Sequence, residues 1–254
     1  MTSHNSFLAD IQIPFIDFVI QSEQQSNWVV QCDFDGTISL SDVTDSLLNR
    51  FGLPGWEELE EDWESGKIGS RECMQGQVAL LDMSREQLEQ HLTTIEIDPQ
   101  FPEFVAEVSR LGWPIHIVSD GLDWSIRSIL ARYNLAHLPI FANRLVQQGE
   151  RQWRLETPWF NPTCAKASAN CKCQLLKSEH QQKQQVLYIG DGNSDFCVSG
   201  KADMVLAKSR LITYCQKQKI PHQRIDNFQD AIDLLHTVKN QHVKGELVSG
   251  SLSY

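Results

Sequence analysis

Positive charge is scarce in this chain. Lys and Arg total 22 against 33 Asp and Glu over 254 residues, leaving a formal net charge of −11. Phosphate backbones and acidic lipid headgroups repel such a surface, so neither nucleic acid nor a membrane is expected as a partner. Long apolar runs are missing as well, and none approaches the roughly 20 residues that a membrane helix needs. Within the first 27 residues Asp10, Pro14 and Asp17 interrupt the apolar positions. No basic leader or small-residue cleavage site flanks them, so no signal peptide is expected. The seven cysteines are an odd number without the spacing of a secreted disulfide scaffold. Cys164, Cys171 and Cys173 lack a clear fourth ligand for zinc and read as reduced structural thiols. The expectation is a cytoplasmic protein. Its 41% of hydrophobic residues suffice for a large core, or for a core plus a smaller domain.

What the chain does have is a pair of carboxylates at the end of an apolar run. Trp28-Val29-Val30 leads into Cys32-Asp33-Phe34-Asp35-Gly36-Thr37. An apolar run bounded by a turn signal reads as a buried strand, here ending at Asp33. In a parallel α/β sheet, ligands collect at the carboxyl ends of strands. Further strands are expected at Pro114–Ser119, Val186–Ile189 and Met204–Ala207. Ile140–Val146 and Gln152–Glu156 would pair around the turn at Gln148-Gly149. Helices are expected over Phe101–Leu111 and Trp124–Tyr133, near Gln174–His180, and from about Asp195. Strands alternating with helices predict an α/β fold with a doubly wound, mostly parallel, Rossmann-like sheet.

Between the first two strands the pattern is acidic and helical. A helix capped by Ser41 or Ser39 runs through Val43, Leu47, Leu48 and Phe51 and stops at Gly52, Pro54 and Gly55. Leu80, Leu81, Met83, Leu88 and Leu92 continue at helical spacings. Residues 41–97 therefore read as a helical cap inserted into a core made of residues 1–40 and 98–254.

Asp33, Ser119 and Asp191 end three of the expected strands, and Lys172 lies in the loop before the helix that leads to the last of these. This set suits phosphoryl transfer, which needs an in-line nucleophile, donors around the non-bridging oxygens and a cation against developing charge. Asp33 is the candidate nucleophile. Asp35 is the candidate general acid and base. Asp33, Asp35 through its backbone carbonyl, and Asp191 are candidate Mg²⁺ ligands, with Asp195 one helical turn further on. Ser119 and the amide of Gly121 would bind phosphate, together with Thr37 and Asp120, and Lys172 would neutralise it with Lys177 in reserve. Asp42 reads as a partner of the helix dipole. Trp56 and Trp63 either cover an apolar substrate tail or pack within the cap. His116 reads as a packed strand residue.

Asp33-Phe34-Asp35-Gly36-Thr37, Val118-Ser119-Asp120-Gly121, a loop lysine and Gly190-Asp191-Gly192-Asn193-Ser194-Asp195 together resemble the haloacid dehalogenase superfamily of phosphatases. Their order is similar to that of its phosphoserine-phosphatase-like branch, in which a helical cap follows the first motif. The resemblance spans about residues 28 to 235. It implies the fold, Mg²⁺, an aspartyl-phosphate and, with weight equal to the dipole reading, a substrate contact for Asp42. Asn170-Cys171-Lys172-Cys173, Ala202–Lys208, Tyr214-Cys215 and Ile220-Pro221-His222 are further similar to methionine-salvage phosphatases, with fewer cysteines in the loop. Phosphoserine as substrate is disfavoured, because among Arg50, Arg71 and Arg85 only Arg71 is a candidate partner for a substrate carboxylate. The resemblance implies hydrolysis of a small phosphorylated metabolite by a monomer or homodimer. A phosphomutase of the same superfamily and a non-turnover phospho-acceptor signalling domain are the alternatives. The helical insertion and the chain length weigh against the latter.

Overall fold

Val29, Val30 and Cys32 have no exposed surface, so β1 (Trp28–Cys32) is covered on both faces, as the central strand of a parallel sheet must be. The computed structural model describes residues 27–243, with side chains to 235. The apolar positions near the amino terminus that bear on a signal peptide lie outside the described residues. β1 pairs in parallel with β2 (Ile115–Leu122) on one side and β5 (Gln185–Gly190) on the other. Beyond β2 come β3 (Ile140–Gln147), parallel, and β4 (Trp153–Glu156), antiparallel. Beyond β5 come β6 (Met204–Ala207) and β7 (Gln223–Arg224), both parallel. The strand order β4-β3-β2-β1-β5-β6-β7 reverses direction at β1. That reversal opens a crevice at the carboxyl ends of β1, β2 and β5.

Helices α1 (Val43–Phe51), α2 (Trp56–Glu64), α3 (Ser70–Ala79) and α4 (Arg85–Leu92) follow β1 in an unbroken helical stretch. The two ends of this stretch meet. Leu40 N donates to Glu96 O at 3.0 Å and Asp98 N to Ile38 O at 2.8 Å, around an antiparallel bridge between Ser39 and Ile97. The stretch also leans on the β3–β4 hairpin, where the indole of Trp153 donates to Met83 O at 2.9 Å. Helices α5 (Phe101–Arg110), α6 (Asp123–Ala131), α7 (Lys172–Gln181), α8 (Phe196–Ser199), α9 (Ser209–Gln218) and α10 (Phe228–Val243) accompany the sheet. Phe101 and Phe104 of α5 close on Phe228 of α10, with ring centroids 4.9 and 5.0 Å apart. Among the described residues no helix is long and apolar enough to cross a membrane.

Local details differ from the sequence expectations. Asp42, not a serine, caps α1, its carboxylate accepting from Asp45 N at 2.9 Å. The Ser39 hydroxyl instead donates to the carbonyls of Phe34 and Ser41. Lys172 opens α7 rather than preceding it. β2 runs on through Ser119 to Leu122 with an irregular register against β3. From Asn193 to Asp195 the chain makes one 3₁₀ turn, followed by the single-turn α8. The Asp195 carboxylate accepts from the amides of Asp191 and Gly192 before this turn, and the helix ends at Gly200.

Candidate active site

Asp33 follows the last residue of β1, its amide tied to Ile189 O of β5 at 2.9 Å. One carboxylate oxygen accepts from Phe34 N at 2.8 Å. The other lies 2.9 Å from Lys172 Nζ. Burial, then the nearby Asp195 charge, push the Asp33 carboxyl well above the usual carboxylate range. Two residues on, Asp35 Oδ1 accepts from Val43 N at 2.9 Å, the first amide of α1. Its other oxygen faces the hydroxyl of Ser119 at 3.4 Å. Ser119 Oγ in turn accepts from Gly121 N at 3.0 Å. Burial raises Asp35 to about 6, so it exchanges a proton near neutrality.

Gly36 makes the turn between these residues with φ +70°, and a β-carbon there would lie 2.6 Å from Asp191 Oδ2. Only glycine accommodates both the dihedral and the contact. Thr37 is buried, and its hydroxyl donates to Asp191 Oδ1 at 3.2 Å. Its carbonyl accepts from the buried Lys208 Nζ at 2.9 Å.

Lys172 is 2% exposed, and its ammonium is surrounded by oxygen. It reaches Asp33 at 2.9 Å, Asp195 at 2.6 Å and Ser194 Oγ at 2.9 Å. Burial alone would lower its pKa, but the charges of Asp195 and Asp33 outweigh it and hold the lysine protonated. Asp195 is fully buried and accepts from Lys172, from the Tyr188 hydroxyl and from the amides of Asp191 and Gly192. Against the cost of burial, Lys172 and these donors keep it ionised, below the usual carboxylate range. Asp191 is pushed up to about 6 by burial and then by Asp195. Carboxylate oxygens of Asp33, Asp191 and Asp195 lie within 4.8 Å of one another. An all-oxygen donor set with mutually repelling carboxylates fits a hard cation. Asp33 and Asp191 keep oxygen for it, whereas Asp195 is already taken up by protein donors.

The site opens on a cavity of about 550 Å³ between the strand ends and helices α1–α3. Asp33, Asp35, Gly36, Ser119, Gly121 and Asp191 face it from the sheet. Asp42, Asp45, Trp56, Glu60, Trp63 and Glu64 face it from the helices. Arg210 of α9 stands across the mouth, 4.0 Å from Glu64.

Asp120 also borders the cavity, but its carboxylate accepts from Ser70 Oγ at 2.7 Å and from Asn170 N at 2.7 Å. It thereby joins α3 and the loop before α7. Asn170 is 1% exposed and donates from its side chain to Ser119 O and Phe141 O, which fixes where Lys172 begins its helix. Asn170, Tyr188, Lys208 and Arg210 were not singled out by sequence. Asn170 and Lys208 do stand inside the stretches that carry the methionine-salvage resemblance. Arg71 donates to Thr157 Oγ1 and stacks over Phe160 at 4.0 Å, so it does not face the cavity as a carboxylate partner. His116 packs on Phe141 and meets Glu179 at 3.1 Å.

Residues 28–237 match the family profile described as Putative Phosphatase. The chain belongs to this phosphatase family. Its activity is accordingly the hydrolysis of a phosphoric monoester, on the haloacid dehalogenase fold. Within the family's reach, a 2-hydroxy-3-keto-5-methylthiopentenyl-1-phosphate phosphatase of Brevibacillus brevis is 31% identical, over 85% of this chain and 98% of its own. A polyol phosphate phosphatase of Saccharomyces cerevisiae is 26% identical, over 80% of this chain and 90% of its own. A phosphoserine phosphatase solved as a phospho-aspartyl intermediate analogue superposes with a TM-score of 0.64 at 19% identity. It covers 82% of this chain and 99% of its own, and at that identity it attests the fold.

Proposed function

We propose that this phosphatase is Mg²⁺-dependent and works through a phosphorylated Asp33. Asp33 carries the nucleophilic oxygen, which attacks phosphorus as the bond from phosphorus to the leaving oxygen breaks. Asp35, raised to about 6, gives its proton to that oxygen. It then takes a proton from water, whose oxygen attacks phosphorus as the bond from phosphorus to the Asp33 oxygen breaks, freeing inorganic phosphate and the Asp33 carboxylate. Ser119 Oγ and the amide of Gly121 are the donors for the non-bridging oxygens, and Lys172, 2.9 Å from Asp33, opposes the effect of burial on its carboxyl and holds it in line. Asp33, the Asp35 carbonyl and Asp191 would hold Mg²⁺, which supplies positive charge against that of the phosphoryl group. The helical segment 41–97 acts as a cap whose closure limits water access until the leaving group departs.

The observation that carries this reading is the position of Asp35. One of its oxygens rests on the first amide of a cap helix and the other faces Ser119, so the proton donor sits between the phosphate cradle and the space for the leaving group.

The cap side of the cavity also bears on substrate. Asp45, Glu60 and Glu64 present carboxylates, Trp56 and Trp63 present indoles, and Arg210 is paired with Glu64. A leaving group with its own carboxylate is repelled there. A small, uncharged hydroxylated or hydroxyketone phosphate fits, in keeping with the names of the two relatives.

The test is turnover of a generic aryl phosphate with and without Mg²⁺. Asp33→Asn should abolish release of inorganic phosphate, and a fully active variant would rule out the nucleophile assigned here.

A further inference from the structure

Two of the free thiols approach each other directly behind the catalytic lysine. Cys173 Sγ of α7 lies 3.4 Å from Cys197 Sγ of α8, and both side chains are half-buried free thiols. Cys173 is the residue after Lys172, and Cys197 is two residues after Asp195. The pair thus bridges the same two segments that the Lys172–Asp195 contact bridges on the cavity side. The positive charge of the exposed Lys201 stands near enough to the Cys173 sulfur to favour its thiolate.

We propose that Cys173 and Cys197 form a peroxide-reactive dithiol site, whose oxidation to a disulfide displaces Lys172 and Asp195 and switches the phosphatase off. The sulfur–sulfur contact with Cys197, followed by Lys201, draws the Cys173 thiol down to about 6 against the effect of burial, which agrees with Cys173 as the attacking sulfur. The Cys173 thiolate attacks one oxygen of a hydroperoxide. The O–O bond breaks, the departing oxide takes a proton, and Cys173 carries a sulfenic acid. Cys197 sulfur then attacks Cys173 sulfur, the S–O bond breaks, and water leaves with the Cys197 proton. With hydrogen peroxide the sum is two thiols oxidised by two electrons and one peroxide reduced to two waters.

Bond formation shortens the sulfur separation from 3.4 Å to about 2.05 Å. The first turn of α7 and the turn that carries Asp195 must therefore move toward each other. Lys172 has no slack, since three oxygens hold it within 2.9 Å. A misplacement of about 1 Å in such a site costs up to roughly 100-fold in rate.

The experiment uses the full chain, reduced, desalted and treated with a small excess of hydrogen peroxide, then alkylated and digested with trypsin. Cleavage after Lys166, Lys172, Lys177, Lys183 and Lys201 puts Cys171, Cys173 and Cys197 on separate peptides. The expected product joins peptide 173–177 to peptide 184–201. Activity on an aryl phosphate should fall roughly 10-fold to 100-fold and return with dithiothreitol. Cys197→Ser should keep its reduced activity and resist peroxide, and Cys173→Ser should do the same.

Absence of that cross-linked peptide overturns the proposal. So does a bond between Cys164 and Cys171 in its place, or a 173–197 disulfide that leaves activity unchanged or whose loss dithiothreitol does not reverse. The activity arm rests on the phosphatase reading, but the peptide map does not. A reduced enzyme without turnover would defeat that reading while leaving the thiol chemistry measurable.

Discussion

A β-carbon at Gly121 would stand 2.3 Å from Asp35 Oδ2. The absence of a side chain on β2 is therefore what lets Asp35 point at Ser119 instead of folding away from it. Gly121→Ala should leave the sheet intact, since the adjacent strand residue Leu122 is already buried, but should displace the Asp35 carboxyl. A drop in kcat/KM of roughly 100-fold is expected, with little change in Tm. An alanine variant of full activity would mean that Asp35 does not need this orientation.

Lys172 is the counter-charge for two buried carboxylates. Replacing it with Met leaves Asp33 and Asp195 facing each other without compensation, a loss of about 3–5 kcal/mol for breaking a buried ion pair. Lys172→Met should be nearly inactive and should unfold at distinctly lower urea. Lys172→Arg should not restore activity, because a planar guanidinium cannot meet Asp33, Asp195 and Ser194 with one nitrogen. Urea melts read by fluorescence, beside turnover, check both statements.

Asp35 and Asp191 have folded-state values of about 6 against an ordinary 3.8. The folded protein thus binds these protons more tightly than the unfolded chain does. The stability they contribute is fully present below about 4 and is lost as pH rises through about 6. In the presence of a chelator, Tm should fall between pH 5 and pH 7.5. Added Mg²⁺ should reduce the fall, because a cation bound to the same carboxylates favours their ionised forms. Calorimetry at the two pH values decides it, and equal chelated Tm values would contradict the electrostatic picture.

Glu60 accepts from Gln77 Nε2 at 2.8 Å and faces the cavity with Glu64 and Asp45. The double change Glu60→Gln and Glu64→Gln removes two negative charges from the cap wall. Relative kcat/KM for a carboxylate-bearing phosphate such as phosphoserine, against an uncharged polyol phosphate, should rise by roughly 10-fold, about 1.4 kcal/mol. An unchanged ratio would show that the wall does not read charge.

The parts legible in the sequence are those where one strand and one turn carry the signal together. Asp33 and Asp35 could be found because β1 opens on the apolar run Trp28-Val29-Val30 and ends abruptly, and Asp191 because Gly190 and Gly192 bracket it at the end of β5. The β3–β4 hairpin was legible from its turn. What sequence could not show was which side chain receives which donor. Asp195 stands by spacing beside the candidate metal ligands and does lie with Asp33 and Asp191, but its bonds from Lys172, Tyr188 and two amides were not legible. Asp120 reads as a phosphate contact by its neighbours, yet Ser70, 50 residues earlier, holds it. Ser41 or Ser39 reads as the cap of α1, yet Asp42 takes that position. These are contacts between distant segments, and periodicity carries no information about them.

The Ser39–Ile97 bridge brings together the two points where the chain leaves the sheet and rejoins it. A different set of helices whose ends meet at that clasp, and whose first turn still offers an amide where Val43 holds Asp35, could replace those between them without shifting β1 against β2. Selection can therefore exchange the part that recognises the leaving group as long as that first turn keeps the proton donor in place, which makes this joint a natural splice point for building chimeric phosphatases.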